Sequence, residues 1–205
     1  MTSSDLVCGR INGLSLFSDV VDGELSCRIR ERLLTEDRHR PCEIVINAQR
    51  HMAPRLTSSF SDVPLFMDGM DPSQPWTPEL IDLRDLIGRR FGLTFNYALA
   101  NLYRDGSDLT GWHSDKAWLH VPGSTIAIVS FGATRTLSVR PRGASSADHF
   151  TLTDSSVVLM DLDLQGTHEH CIPAETEDAG MRLSITLRLI EMLPEYLDEP
   201  ATPPV

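Results

Sequence analysis

No stretch of this chain approaches the run of about 18 apolar residues that a membrane-crossing helix needs, so no membrane partner is expected. The first residues lack a basic segment followed by an apolar one, so no secretory signal is expected either. Cysteine is sparse. Cys8, Cys27, Cys42 and Cys171 are scattered without a CxxC pair, as expected of reduced thiols in a cytoplasmic protein. Internal repeats and low-complexity tracts are also missing. Positive charge is short: 18 Lys and Arg stand against 29 Asp and Glu, for a net charge of -11. A strong non-specific grip on nucleic acid relies on cations meeting phosphates, so that class is disfavoured, although a local basic patch stays open.

What remains is an ordinary globular composition over 205 residues, long enough for one domain with a substantial core, and a monomer is expected. Residues 1–18 read as a short strand or arm. Asp19 is placed to cap a helix over about 20–34, with Val20, Val21, Leu25, Ile29, Leu33 and Leu34 near helical spacing. Glu36-Asp37 opens a polar break, and 43–47 look like a strand, closing an N-terminal region of 1–47. Residues 48–76 show no sustained period and are too apolar for a disordered linker, which predicts a lid over a cleft. Thr77-Pro78 predicts a helix start, with Leu80, Leu83, Ile87 and Phe91 on one stripe and Gly92 as the stop, giving a supporting helix over 77–92. From 93 to 190 short strands and turns follow one another, and 191–205 form a tail. Helices first and strands after predict an α+β domain on a barrel or jelly roll, its N-terminal helices packed on the outside.

Gly111-Trp112-His113-Ser114-Asp115 places an imidazole and a carboxylate two positions apart. On a strand these project from one face. A lone pair of this kind is usually an ordinary surface pair. With His170 as a third donor it becomes two histidines and a carboxylate, the facial set of non-haem Fe(II) oxygenases. The strand 182–188 alternates: Arg182, Ser184, Thr186 and Arg188 share one face, Leu183, Ile185 and Leu187 the other. The polar face either meets water or forms an anion site, because the arginine fork suits a carboxylate. Asn101 and Tyr103 share a face and offer an amide and a phenol to such a site.

Asn101-Leu102-Tyr103 with Gly106, Gly111–Asp115, Ser130-Phe131-Gly132-Ala133-Thr134-Arg135, His170-Cys171-Ile172-Pro173 and Arg182–Arg188 together resemble the AlkB family. Pro54-Arg55 and Pro75-Trp76 fit its upstream pattern, and the resemblance spans roughly 50–190. It implies a double-stranded β-helix, a catalytic core over 93–190, and Fe(II), 2-oxoglutarate and O2 as cofactors. It implies iron on His113, Asp115 and His170, and 2-oxoglutarate held by Asn101, Tyr103, Arg182, Ser184 and Arg188, its distal carboxylate on Arg182. Ser184 replaces an Asn common in the family's last strand. His168 shares a face with His170 but falls where the family often has an aromatic residue. The implied chemistry is hydroxylation of a C–H bond, which releases formaldehyde when the carbon is an N-methyl group.

For the substrate the resemblance implies an alkylated base in DNA or RNA, with Arg55, Phe60, Ala117 and Trp118 as candidate contacts. Arg50, Arg55, Arg89, Arg90, Arg140 and Arg142 are candidates for a phosphate-binding rim. The pattern departs from the family in two places. Lys116–His120 carries no carboxylate, and of the lid's aromatic pair only Phe60 remains, with Trp118 as a substitute ring. A small-molecule substrate, such as a biosynthetic intermediate, accounts for both departures and for the acidic charge.

Overall fold

The computed structural model describes residues 7–35, 38–46, 48–67, 69–176 and 178–197. Expectations for the arm before residue 7, the break at Glu36-Asp37, Asn47 and the tail beyond 197 lie outside the described residues.

The chain opens as a hairpin of β1 (Val7–Ile11) and β2 (Leu14–Phe17), then enters α1 (Gly23–Thr35). The cap of α1 is Asp22, not Asp19. Asp22 Oδ1 accepts the Leu25 N–H at 2.8 Å, whereas Asp19 sits at φ 53°, a left-handed conformation foreign to an N-cap. Val20 and Val21 are buried, but ahead of the helix. Strands β3 (Arg40–Ile46) and β4 (Gln49–Ser61) follow, then α2 (Pro78–Phe91). The ends of α2 match their expected chemistry: Thr77 accepts the Leu80 N–H, and Gly92 takes the left-handed conformation that glycine adopts without strain.

The rest is strand: β5 (Tyr97–Tyr103), β6 (Thr110–His113), β7 (Thr125–Gly132), β8 (Arg135–Pro141), β9 (Asp148–Leu152), β10 (Val157–Asp161), β11 (His168–Ile172) and β12 (Arg182–Arg188). A short α3 (Leu164–Thr167) precedes β11, and single 3-10 turns lie at Ala117–Leu119 and Pro194–Tyr196. Eight strands form one sheet in the order β1-β2-β10-β7-β12-β5-β4-β3, and four form a second in the order β6-β11-β8-β9. This is the expected α+β jelly roll, with the helices on its outside.

Alternation along the large sheet builds two cores. Leu183, Ile185 and Leu187 join Leu80, Leu83, Ile87, Ile29 and Leu33 under the helices. On the other face Tyr103, Ile126, Leu137, Phe150, Leu152 and Ile172 fill the space between the sheets. Ser184 and Arg182 on that inner face are only 2% and 1% exposed, so the polar stripe of β12 does not meet water.

The stretch 48–76 is not a lid throughout. Leu56–Ser61 of β4 pair with Tyr97–Leu102 of β5, inside the large sheet. A run of Ser and Thr hides the strand, because small hydroxyl residues fill consecutive buried β positions on both faces here: Thr57, Ser58, Ser59 and Ser61 are all buried. Phe60 is fully buried in the core beneath α2, so its ring cannot stack on a substrate.

Phe60→Ala is expected to lower stability by about 3–5 kcal/mol through the cavity it leaves. Urea unfolding checks this, and wild-type stability would place Phe60 outside the core.

Candidate active site

The two histidines meet through strand register. β6 and β11 are antiparallel, His113 stands opposite His170, and the ring centroids are 4.3 Å apart. His113 Nδ1 lies 2.9 Å from the Gly111 carbonyl oxygen. A carbonyl only accepts, so Nδ1 carries the proton and Nε2 keeps its lone pair for a metal. Asp115 does not share a strand with His113 as expected, since β6 ends at His113. Contacts from elsewhere hold it. Its N–H donates to Gln165 Oε1 at 2.8 Å, and Ser114 Oγ donates to the His168 carbonyl at 2.6 Å. Its Oδ2 accepts from Arg188 Nη2 at 3.0 Å, and its Oδ1 lies 3.7 Å from His113 Nε2. Among the described residues, His113, Asp115 and His170 form a group whose ligand atoms lie within 4.8 Å of one another. His168 is not in this group, and its Nδ1 pairs with Thr167 Oγ1.

The electrostatics suit cation binding. Burial alone would raise the Asp115 carboxyl, but the charges of Arg188, His170 and His113 outweigh it and hold the group well below the usual carboxylate range. Burial, with His113 and Arg188 nearby, pushes His170 down to about 4 against the pull of Asp115. Near neutral pH the triad therefore presents one anion and an unprotonated His170.

Asn101, Tyr103, Arg182, Ser184 and Arg188 all line the pocket that holds the triad. Arg182 is fully buried, and burial pulls its pKa below the usual arginine range. Its Nη2 donates to Ser130 Oγ at 2.9 Å, while Nε and Nη1 are buried without a hydrogen-bond partner among the described residues. A buried cation with orphaned donors calls for an anionic acceptor. Tyr103 lies between Arg182 and Arg135, with guanidinium carbons 5.0 and 5.3 Å from its ring centroid, and its hydroxyl meets Thr110 Oγ1 at 2.8 Å. Arg188 is committed to Asp115, so its first task is to hold the metal carboxylate. Two imidazoles and a carboxylate fit Fe(II), and the arginine-lined inner end of the same pocket fits a dicarboxylate.

Of the expected substrate contacts, only Arg55 lines this pocket, and its Nε donates to Asn101 Oδ1 at 2.8 Å. Ala117 and Trp118 are exposed on a 3-10 turn outside it, and Trp118 stacks on Tyr196 at 6.3 Å. Arg89 and Arg90 do not join the expected phosphate rim. Arg89 and Arg90 ride on α2, across the large sheet from the pocket, and Arg90 donates to the Val20 carbonyl. Arg50 pairs with Glu43, and Arg140 pairs with Glu169 while lying over Trp112. Arg142 donates to the Gln165 carbonyl.

Gln165 has no sequence signal, and Ser114 and Arg135 stand inside the motif blocks with no role that the sequence assigns. Their partners are backbone groups distant in the chain, and Arg135 alone binds the carbonyls of Asp105, Asp108 and Pro173. Beside it, a side chain at Gly106 would run into the Thr176 carbonyl, which explains the glycine.

Fold and site together are a jelly roll carrying two histidines and a carboxylate on one pocket, the arrangement of the non-haem Fe(II) oxygenase class. The chain belongs to the 2OG-Fe(II) oxygenase superfamily, whose family model matches residues 67–188. It is 32% identical over 148 residues to the rat alpha-ketoglutarate-dependent dioxygenase alkB homolog 3, a match covering 67% of this chain and 50% of that protein. It is 32% identical over 151 residues to the mouse DNA oxidative demethylase ALKBH2, covering 68% and 63%. The chain thus spans between half and two thirds of the length of these curated relatives. The solved structure of OsALKBH1 superposes with a TM-score of 0.67 at 14% identity, covering 89% of this chain and 99% of that one, which shows the shared fold.

His113→Ala, Asp115→Ala and His170→Ala are each expected to abolish binding of Mn(II), measured by calorimetry, while His168→Ala retains it. Loss in the His168 variant with retention in the His170 variant would overturn the ligand assignment. Metal-free protein is also expected to lose stability as pH falls from about 6.5 to about 4. In that window the unfolded His170 takes up a proton that the folded one refuses, so acid favours unfolding. Urea midpoints across this range should flatten in His170→Asn, and an unchanged slope would contradict the assignment. Part of the slope should remain, because burial also lowers His120.

Proposed function

We propose that the protein is an Fe(II)- and 2-oxoglutarate-dependent dioxygenase that removes an alkyl group from a nucleobase by hydroxylating its N-bound carbon. The observation that carries the reaction class is that His113, Asp115 and His170 converge in the same pocket as the orphaned donors of buried Arg182. When bound, Fe(II) with 2-oxoglutarate and O2 supplies the oxidant for the C–H bond, the co-substrate leaving as succinate and carbon dioxide. The chain's own residues do the rest. Arg182 binds the distal carboxylate, with Tyr103 and Ser184 beside it. Arg188 holds Asp115 ionised and aimed. The Gly111 carbonyl keeps the proton on His113 Nδ1. Ile128, Leu137, Leu152 and Ile172 line the inner wall and keep water from the oxidant.

The nucleobase substrate rests on the likeness to relatives named as an alkB homolog and a DNA oxidative demethylase. A small-molecule substrate is the second reading, and specific observations favour it. Phe60 lies in the core, Trp118 is taken by Tyr196, and Tyr103 is the one Phe, Tyr or Trp lining the pocket among the described residues. Base stacking on aromatic rings is a large part of how extruded or single-stranded bases are held.

Fe(II)-loaded protein incubated with oligonucleotides carrying 1-methyladenine or 3-methylcytosine is expected to release formaldehyde and restore the base. No repair on single or double strands at low salt, with 2-oxoglutarate still consumed, would favour the small molecule. Failure to consume 2-oxoglutarate at all would leave a binding module that kept the fold without the chemistry. Arg182→Ala is expected to raise the 2-oxoglutarate requirement more than tenfold with little change in metal affinity, because a charge-assisted bond is lost. Equal loss of both would contradict its role.

A further inference from the structure

Asp115 is the metal ligand that no strand supports. The segment 114–116 has no ladder partner, and Arg188 restrains only its carboxylate. Among the described residues, its own N–H meets a single acceptor, Gln165 Oε1 at 2.8 Å, while the flanking Lys116 carbonyl is held by the Leu119 N–H and His120 Nδ1.

We propose that Gln165 is the positioning residue of the metal site, holding the Asp115 backbone so that its carboxylate faces His113 and His170. This rests on the reading of the pocket as a metal site. Gln165 is 2% exposed, so its amide cannot turn to water. The orientation of that amide is set, because the N–H of Asp115 needs an acceptor and the Nε2 end meets Met160 Sδ, a weak acceptor, at 2.7 Å. The main chain of Gln165 is itself pinned, its N–H donating to the Leu162 carbonyl and its carbonyl accepting from Arg142 Nη2 at 2.7 Å. Gln165 stands on α3, which runs directly into the strand that carries His170. One four-residue helix therefore delivers the third ligand and braces the second. The Ser114 hydroxyl on the His168 carbonyl closes the same clamp from the other side. Partners that orient a metal ligand set affinity by deciding how much reorganisation binding requires.

The test is a Co(II) titration, followed by visible absorption, on the full chain as wild type, Gln165→Leu and Gln165→Glu. The melting temperature of each metal-free protein is recorded alongside. Leucine keeps the volume and removes the acceptor, so Co(II) binding is expected to weaken about 10–100-fold. A glutamate oxygen accepts the same N–H, so Gln165→Glu should return most of the affinity. Hydrogen exchange at the Asp115 amide should quicken in the leucine variant alone. If the leucine variant fails to fold, Gln165→Met gives the same comparison with an unbranched chain. Folded leucine or methionine variants that bind Co(II) as tightly as wild type would overturn the proposal. So would equal losses in the leucine and glutamate variants that follow their melting temperatures, since that pattern belongs to packing alone. A wild-type protein that binds no Co(II) would instead sink the metal reading, and this proposal with it.

Discussion

A carboxylate taken out of water has to be paired, and the pairing of Asp115 with Arg188 fixes the relation between the two halves of the site. Arg188 ends β12 in the large sheet, and Asp115 follows β6 in the small one. Their 3.0 Å contact bridges the sheets at the mouth of the pocket. Removing either partner would strand the other as a poorly solvated charge, typically a loss of about 3–5 kcal/mol for buried pairs. The same contact keeps the metal carboxylate ionised against the effect of burial.

The architecture makes this possible by giving each strand of the large sheet two distinct tasks. One face packs on α1 and α2 with aliphatic side chains and carries no chemistry. The other looks into the space between the sheets, where an apolar floor of Leu137, Leu152 and Ile172 rises into a polar wall of Asn101, Arg182, Ser184 and Arg188. A cation such as Arg182 in that setting has too few acceptors of its own, and the pocket is complete only with an anion in it. The fold thus sets buried guanidinium donors suited to a carboxylate in the same pocket as a three-point metal site.

Much of this was legible from the residues. The period-2 alternation of β12, the Thr77-Pro78 start and Gly92 stop of α2, and the spacing of His113, Asp115 and His170 are local patterns with direct physical causes. The failures share a cause too. Hydropathy reads β4 as a lid because buried Ser and Thr look like surface residues, and it misplaces Phe60 with it. Arg89 and Arg90 fall away from the expected rim because charge count says nothing about which face of a sheet a helix covers. HxD suggests a strand for Asp115, whereas its N–H is held by Gln165, a contact between a side chain and a remote backbone group that no spacing encodes. The rings expected to face a substrate, Phe60 and Trp118, do not line the pocket, and this bears on the substrate more than on the reaction.

A metal and 2-oxoglutarate that share one pocket should bind cooperatively. The most direct measurement is calorimetric titration of 2-oxoglutarate into the protein without oxygen, with and without Mn(II). Reciprocal linkage requires that Mn(II) tighten 2-oxoglutarate binding by the same factor by which 2-oxoglutarate tightens Mn(II) binding. A large common factor that collapses in His170→Ala is expected. Binding of 2-oxoglutarate that is indifferent to the metal would contradict it.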